Sequence, residues 1–211
     1  MINVIFDMDG TLLDTQKICI PAWTYAGELQ GFENVGEHIP FVCGMNKAGW
    51  SDYLAKNFPT LDVDKFNDDS RRYVKENIVL AFKKGAPELI EYLKQNNIKM
   101  AVASGSSTET VKSNLKKLNV LESFDVVLGG DMVENGKPAP DIFLKASSML
   151  GANPRDCIVF EDSVNGIKSA VSAGMKCIAI PDVMPFDKQT ESVLFAKLDN
   201  FLQAIDLLKL N

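Results

Sequence analysis

Carboxylate, hydroxyl and ammonium side chains follow several short apolar stretches of this sequence, and they define the chemistry that the chain could perform. The first stretch delivers Asp7 and Asp9, two residues apart, immediately before Gly10. Two clustered carboxylates repel each other unless one binds a proton or a cation lies between them. Such pairs in turns are often only solvated, but a pair between a predicted buried strand and a Gly-Thr turn favours a catalytic or metal-binding role.

A serine and a lysine follow at later points of the chain. Ser104 and Gly105 end a second apolar stretch at the predicted start of a helix, where hydroxyl and amide groups can bind an anion. Lys137 lies between a glycine and a proline, and a lysine so placed can neutralise a phosphoryl group as a point charge. An ordinary helix cap would explain Ser104 equally well, and a single loop lysine is more often merely solvated.

A second acidic pair, Glu161 and Asp162, closes a further apolar stretch. Hard cations such as Mg²⁺ prefer oxygen ligands, commonly carboxylates and water. The two acidic pairs and one lysine around a single crevice would leave an excess of negative charge that repels a phosphate dianion. A divalent cation would cancel much of that charge and bridge to the phosphate. The alternative is that Glu161 and Asp162 are acids of a first helical turn, where the helix dipole favours them.

Five apolar stretches with strand character must position these side chains, and helix-like segments separate the later ones. The predicted strands cover residues 3–6, 99–103, 125–128, 157–160 and 176–180, and the helices between them cover 107–118, 141–150 and 164–173. This alternation predicts an α/β fold with a doubly wound parallel sheet. Ligands of such sheets bind beyond the carboxyl ends of the strands, near the point where the strand order reverses.

A long segment after the first strand contains no strand candidate. It reads as several helices, with helical spacing at 20–29 and 73–82, broken by glycines and prolines. We predict a helical cap domain at residues 15–82, inserted into a core formed by 1–14 and 83–211, and able to pivot as a lid over the sheet edge. Trp23 and Trp50 could line that lid, although aromatic residues at helical spacing more often belong to a core.

Composition narrows the classes of partner. The 211 residues carry a formal charge of −6 without a block of lysines or arginines, so we expect no nucleic-acid partner. No apolar run is long enough to span a bilayer and no secretory signal is recognisable, so we expect no membrane association and a cytoplasmic location. The four cysteines are widely separated, and we interpret them as reduced thiols, two of them buried. We expect a monomer or a weak homo-oligomer.

The ordered residues resemble the four motifs of the haloacid dehalogenase superfamily. The matching residues are Phe6-Asp7-Met8-Asp9-Gly10-Thr11-Leu12, Ser104, Lys137 with Pro138, and Glu161-Asp162-Ser163 with Gly166. The match covers residues 1–14 and about 83–211. The helical insertion resembles the cap of the branch that contains β-phosphoglucomutase, phosphoglycolate phosphatase and related sugar-phosphate phosphatases.

The resemblance implies a role for each matched side chain. Asp7 would be the nucleophile that forms an aspartyl-phosphate, and Asp9 the general acid and base. Ser104, Gly105 and Lys137 would hold the oxygens of the transferring phosphoryl group. The activity implied is phosphoryl transfer from a small phosphorylated metabolite.

The resemblance also implies a Mg²⁺ cofactor. Its ligands would be Asp7, the main-chain carbonyl of Asp9, and Asp162, with Glu161 nearby as a ligand or as a neighbour of the ligands. A signalling receiver, which shares the topology and a phosphorylated aspartate, is disfavoured because a large insertion follows the first strand. A catalytically inactive binding protein of the same fold remains an alternative from another class.

The cap departs from the β-phosphoglucomutase pattern in two places. Cys19 stands where those mutases have a histidine, and Cys43-Gly44-Met45-Asn46-Lys47 stands where they have Lys-Gly-x-Ser-Arg. Lys47 is the remaining candidate for a cap contact with substrate, without the bidentate fork of an arginine. We therefore expect a phosphatase that acts on a sugar phosphate or a related phosphomonoester, with a phosphosugar mutase as the alternative.

Overall fold

The structure, a computed structural model, describes residues 2–77, 79–182 and 186–209. Its strands are β1 (Asn3–Phe6), β2 (Met100–Ala103), β3 (Val126–Leu128), β4 (Cys157–Glu161), β5 (Lys176–Ala179) and β6 (Ala196–Lys197). Within the described residues they form one parallel sheet in the order β3-β2-β1-β4-β5-β6. The predicted doubly wound α/β fold is confirmed. The first five strands agree with the predicted stretches to within one residue at each end, whereas β6 is too short to leave a readable pattern.

Four α-helices occupy the described part of the insertion after β1. They are α1 (Gln16–Glu28), α2 (Ile39–Val42), α3 (Lys47–Asn57) and α4 (Val63–Asn77). Leu13 and Phe82 form an antiparallel bridge, and the amide of Lys83 donates to the carbonyl of Leu12 at 3.0 Å, so the two ends of the insertion lie side by side. The helix predicted over 73–82 ends at Asn77. Residues 81–83 bond instead to residues 12–14, the segment that leads from β1 into the insertion. The exact domain boundaries, 15 and 82, stay a prediction.

Helices cover both faces of the sheet. The remaining ones are α5 (Ala86–Gln95), α6 (Thr108–Lys117), α7 (Asp141–Leu150), α8 (Val164–Ser172), α9 (Lys188–Ser192) and α10 (Phe201–Lys209). Alternate residues of β1 point to opposite faces, so Val4 and Phe6 pack under α5, α6 and α10 while Ile5 packs under α7 and α8. Phe6 also stacks on Phe160 of β4, with ring centroids 5.3 Å apart. In the part of the chain that is described, no helix is both long and apolar enough to cross a bilayer.

The four cysteines are free thiols, as predicted. Cys157 and Cys177 are buried in the sheet, whereas Cys19 and Cys43 are half-buried in the cap.

The strand order reverses at β1, which lies between β2 on one side and β4 on the other. The chain connections that lead into β2 and into β4 run in opposite directions across the sheet. A crevice therefore opens between these connections, at the carboxyl ends of β1 and β4. The amide of Asp7 donates to the carbonyl of Phe160 at 3.0 Å, so the two strand ends are held together at this point. The acidic residues that follow β1 and end β4 therefore meet in the crevice.

Candidate active site

The turn after β1 makes the side chains of Asp7 and Asp9 point in different directions. Gly10 has a φ of +86°, a conformation that residues with a side chain rarely adopt. A Cβ atom at this position would lie 2.4 Å from an oxygen of Asp162. Glycine therefore allows the chain to turn tightly beside the acidic end of β4, with Asp7 buried in the crevice and Asp9 beyond it.

Lys137 ties Asp7 to Glu161. Its ammonium donates to Oδ1 of Asp7 at 2.6 Å and to Oε1 of Glu161 at 2.7 Å, and its side chain is 1 % exposed. Burial penalises the charge of Asp7 more than the ammonium favours it, and raises the pKa of Asp7 to about 7. Burial also opposes the charge of Lys137, but the two carboxylates outweigh it and raise the pKa of Lys137 above its usual range.

Glu161 is held by the start of α8. Its Oε2 accepts from the amides of Asp162 and Ser163, both at 2.8 Å, and from the Ser163 hydroxyl at 2.9 Å. Ser163 in turn accepts from the amide of Gly166 at 3.0 Å and caps the helix. With Oε1 bound to Lys137, both oxygens of Glu161 have partners. Glu161 thus positions the lysine, while the helix start positions Glu161.

Asp162 is the second buried acid at the end of β4. Its Oδ1 accepts from the Thr11 hydroxyl at 2.8 Å and its Oδ2 from the Gln16 side-chain amide at 2.6 Å. Burial, followed by the charges of Glu161 and Asp7, raises the pKa of Asp162 well above its usual range. Thr11 lies within the first recognised motif, but no sequence signal marks Gln16, which is the first residue of a cap helix.

Asp7, Glu161 and Asp162 form an acidic group whose ligand atoms lie within 4.8 Å of one another. Ionised, they carry two negative charges more than Lys137 cancels, which matches the charge of one divalent cation. All three donors are carboxylate oxygens, the ligands that Mg²⁺ prefers. These residues fit such an ion. The carboxylate of Asp9, whose main-chain carbonyl was the predicted ligand, lies outside this group.

The Asp9 carboxylate faces hydroxyl groups. Its Oδ1 accepts from Thr15 at 2.9 Å, and its Oδ2 accepts from Ser106 at 2.8 Å and from Ser104 at 3.2 Å. The amide of Ser106 also donates to the hydroxyl of Ser104 at 3.0 Å. The loop that carries Ser104 and Gly105 after β2 therefore lies against Asp9, and Ser106 joins it without having been predicted.

The segment between α2 and α3, residues 43–46, closes over the crevice and is called the cap loop below. A Cβ atom at Gly105 would lie 2.5 Å from the carbonyl oxygen of Met45, and one at Gly136 would lie 2.6 Å from the side chain of Asn46. Real Cβ atoms do not approach other atoms so closely. The cap loop thus contacts the core at positions where only glycine leaves enough room.

A cavity of about 270 Å³ remains between the core and the cap. Asp7, Asp9 and Ser104 to Ser106 line its core side. Apolar side chains line much of its cap side, among them Ile18, Trp23, Val42, Met45, Trp50 and Val74. Lys47 does not line the cavity, because its ammonium lies 3.4 Å from Asp64 and its side chain is 62 % exposed. The structure therefore does not bring the predicted cap contact, Lys47, to the site.

Known proteins resemble the chain over most of its length. The phosphorylated carbohydrates phosphatase of Thermotoga maritima is 31% identical over 180 residues, which are 83% of this chain and 82% of that protein. A solved structure of a haloacid dehalogenase hydrolase, family IA variant 3, from Entamoeba histolytica is 30% identical, with a TM-score of 0.80 over 99% of this chain and all of the other.

A third relative is much longer than this chain. The SUPPRESSOR OF QUENCHING 1 protein of Arabidopsis thaliana is 33% identical over 189 residues, which are 84% of this chain and only 17% of that protein. Residues 4–180 match the haloacid dehalogenase-like hydrolase family. Together with the doubly wound sheet, the inserted helical cap and the acidic crevice, this match establishes that the chain belongs to the haloacid dehalogenase-like hydrolase family.

Proposed function

We propose that this protein is a Mg²⁺-dependent phosphatase that hydrolyses a small phosphorylated metabolite through a phosphorylated Asp7. The observation that carries the proposal is the position of Asp7, which accepts from the buried ammonium of Lys137, belongs to the acidic group with Glu161 and Asp162, and also borders the cavity. The relative named as a phosphatase of phosphorylated carbohydrates supports this class of reaction.

In the first half of the proposed reaction, a carboxylate oxygen of Asp7 attacks phosphorus. The new phosphorus–oxygen bond forms as the bond to the leaving oxygen breaks, and the leaving oxygen keeps the electron pair. Asp9 borders the same cavity, so in its protonated form it can donate a proton to that oxygen. Ser104 would turn its hydroxyl from Asp9 to a phosphoryl oxygen, and Lys137 would offset the negative charge.

In the second half, Asp9 is a carboxylate and takes a proton from water. The oxygen of that water attacks the phosphorus, the bond to Asp7 breaks, and phosphate leaves. Thr15 and Ser106 keep Asp9 oriented through their hydrogen bonds to its two oxygens. A bound Mg²⁺, held by Asp7, Asp162 and the Asp9 carbonyl with Glu161 alongside, would supply positive charge to the phosphoryl oxygens.

The Asp7→Asn variant tests the nucleophile. We expect turnover of a generic phosphomonoester to fall on the order of 10³-fold or more, because an amide oxygen is a poor nucleophile. Mass spectrometry of acid-quenched protein should find a phosphoryl group on the peptide with Asp7 in the wild type alone. Asp64→Asn, at a side chain 90 % exposed on the cap, is the matched control and should keep full activity. Full activity of Asp7→Asn with unchanged circular dichroism would refute the mechanism.

Removal of metal tests the acidic group. EDTA should abolish turnover, and added Mg²⁺ should restore it. Independently of activity, Mg²⁺ should raise the Tm, because it relieves the repulsion among three buried carboxylates; saturation at 100 times Kd contributes about 2.7 kcal/mol. The Asp162→Asn variant should lose most of this shift. Turnover that persists in EDTA, or a Tm indifferent to Mg²⁺, would contradict the proposed cofactor.

The alternatives differ from this proposal in one measurable way each. A phosphosugar mutase must hold a second phosphate, yet none of the described residues that line the cavity is a lysine or an arginine. We therefore expect phosphate release and no interconversion of hexose 1- and 6-phosphates. An inactive binding protein would release no phosphate from any phosphomonoester.

A further inference from the structure

The cap wall of the cavity carries no fixed charge. None of its described lining residues is a lysine or an arginine, and its apolar side chains are accompanied by the thiols of Cys19 and Cys43. Burial raises the pKa of Cys19 to about 12 and that of Cys43 well above its usual range, so both thiols are neutral. Neutral cysteines of this kind behave as small apolar groups.

Two indole rings form the flat part of this wall. Trp23 and Trp50 both line the cavity, and their ring centroids are 5.8 Å apart at an angle of 64°. Behind them, Phe66 contacts Trp23 edge-on at 5.2 Å and belongs to the buried core of the cap. The rings are therefore held in place before any ligand binds, and each offers a rigid apolar surface.

The size and polarity of the cavity restrict the group that can be esterified to the phosphate of a bound substrate. Its volume of about 270 Å³ lies near the lower end of the ~300–1,000 Å³ typical of ligand sites, which suits a single ring. A polyhydroxylated ring would need a hydrogen-bond partner for each buried hydroxyl. The cap wall offers few, since Thr15 and Gln16 in the lining already bond to Asp9 and Asp162, and Thr110 and Asn114 belong to the core helix α6. A second phosphate held within the cavity would find no lysine or arginine among its described lining residues.

We propose that the leaving group of the substrate is a compact, uncharged, flat apolar ring, seated against Trp23 and Trp50 while its phosphate lies at Asp7. The inference rests on the proposed function and deepens it. It predicts that the alcohol released from the phosphate carries an apolar ring rather than a polyhydroxylated one.

The wild-type enzyme with Mg²⁺ provides the first test. Benzyl phosphate and glucose 6-phosphate are both esters of primary alcohols, so their intrinsic reactivity is similar and the cavity decides between them. We expect kcat/KM for benzyl phosphate to be about tenfold or more above that for glucose 6-phosphate, and higher still relative to fructose 1,6-bisphosphate. Equal or better use of either sugar phosphate would overturn the inference while leaving the proposed function standing.

Fluorescence provides a test that needs no turnover. The chain contains two tryptophans, and both line the cavity, so a bound ring should change their emission. In the Asp7→Asn variant, benzyl phosphate should shift the emission at concentrations about tenfold lower than glucose 6-phosphate does. If no phosphomonoester is hydrolysed, the proposed function fails, and this titration still decides the inference: tighter binding of the sugar phosphate would refute it.

Two variants locate the effect in the cap wall. Trp50→Ala should lower kcat/KM for benzyl phosphate about tenfold and change that for glucose 6-phosphate little. Because Trp50 also packs in the cap, Val74→Arg is a second variant at a half-buried position outside the cap core, and it should raise the relative use of fructose 1,6-bisphosphate about tenfold. Lys47→Ala, outside the cavity, is the control. Parallel changes for all substrates in both variants would contradict the inference.

Discussion

Gly166 determines the position of Glu161 although it has no side chain to contact it. A Cβ atom at this position would lie 1.6 Å from Oε1 of Glu161, the oxygen that binds Lys137. The first turn of α8 therefore lies directly against the carboxylate, while the amides of Asp162 and Ser163 and the Ser163 hydroxyl, just before the helix, donate to the other oxygen. At the scale of single residues, the space that a glycine leaves free thus helps to position a buried charge, together with the hydrogen bonds to it.

Gly166→Ala should displace Glu161 and leave Lys137 with a single carboxylate partner. We expect the free energy of unfolding to fall by about 1–3 kcal/mol, as for other substitutions that add atoms to a packed interior. Turnover should fall by about tenfold or more, since Lys137 would lose the second carboxylate that fixes its position beside Asp7. Urea unfolding and initial rates measure the two effects. Val171→Ala, in the same helix and 37 % exposed, is the control; if Gly166→Ala behaves like it, the packing argument fails.

At the scale of elements, the cap loop and the core meet through close backbone contacts. Gly136 precedes Lys137, and the atoms nearest to a Cβ placed on it all belong to the side chain of Asn46. Asn46 also caps α3, because its side chain accepts from the amide of Gly49 at 3.0 Å. The start of α3 in the cap therefore contacts the core loop that carries Gly136 and Lys137.

Gly136→Ala should push the cap loop away from the core, because the added methyl group would meet the side chain of Asn46, and it removes no side chain from the site. We expect KM to rise about fivefold to tenfold, with a smaller change in kcat, because the cavity wall would be displaced from the bound substrate. The double variant with Asn46→Ala removes every atom that the added methyl group would meet first, and should recover most of the loss. Steady-state kinetics of the two single variants and the double variant measure this coupling. Additive effects would show that the contact is irrelevant to closure.

At the scale of the whole molecule, a basic groove adjoins the cavity of a chain whose formal charge is −6. The groove, about 830 Å³ in volume, runs between α4 and α6 and shares Val74, Thr110 and Asn114 with the cavity. Its charged residues are Arg71, Arg72, Lys75 and Lys117 against Glu76 and Glu109. A local excess of positive charge beside the cavity can attract a phosphate dianion that the molecule as a whole would repel.

Replacing Lys75 and Lys117 by glutamine should slow the capture of substrate. We expect kcat/KM to fall about threefold to tenfold at low ionic strength while kcat stays unchanged, with a difference that shrinks as salt screens the groove. Lys188→Gln with Lys209→Gln, in α9 and α10, changes the net charge equally and serves as the control. An equal loss in both double variants would assign the effect to net charge rather than to the groove.

Local patterns in the sequence predicted the core of the site. Alternating apolar stretches indicated parallel strands, and parallel strands bring their carboxyl ends to one edge of the sheet. Asp7, Lys137, Glu161 and Asp162 therefore meet in the structure although more than half of the chain separates the first from the others. The partners of these residues were harder to predict. Gln16 binds Asp162 from a cap helix, and nothing in its neighbourhood of the sequence indicates that contact.

The sequence by itself determined the fold class, the family and the order of the chemical groups along the sheet edge, because strand periodicity and residue type are local properties. Tertiary structure alone decided that Asp9 faces Ser104 and Ser106, that Lys47 pairs with Asp64, and that tryptophans line the cavity. Those facts depend on how the cap helices pack against one another and on the core. Many weak apolar contacts between distant segments set that packing, and no single stretch of sequence encodes it.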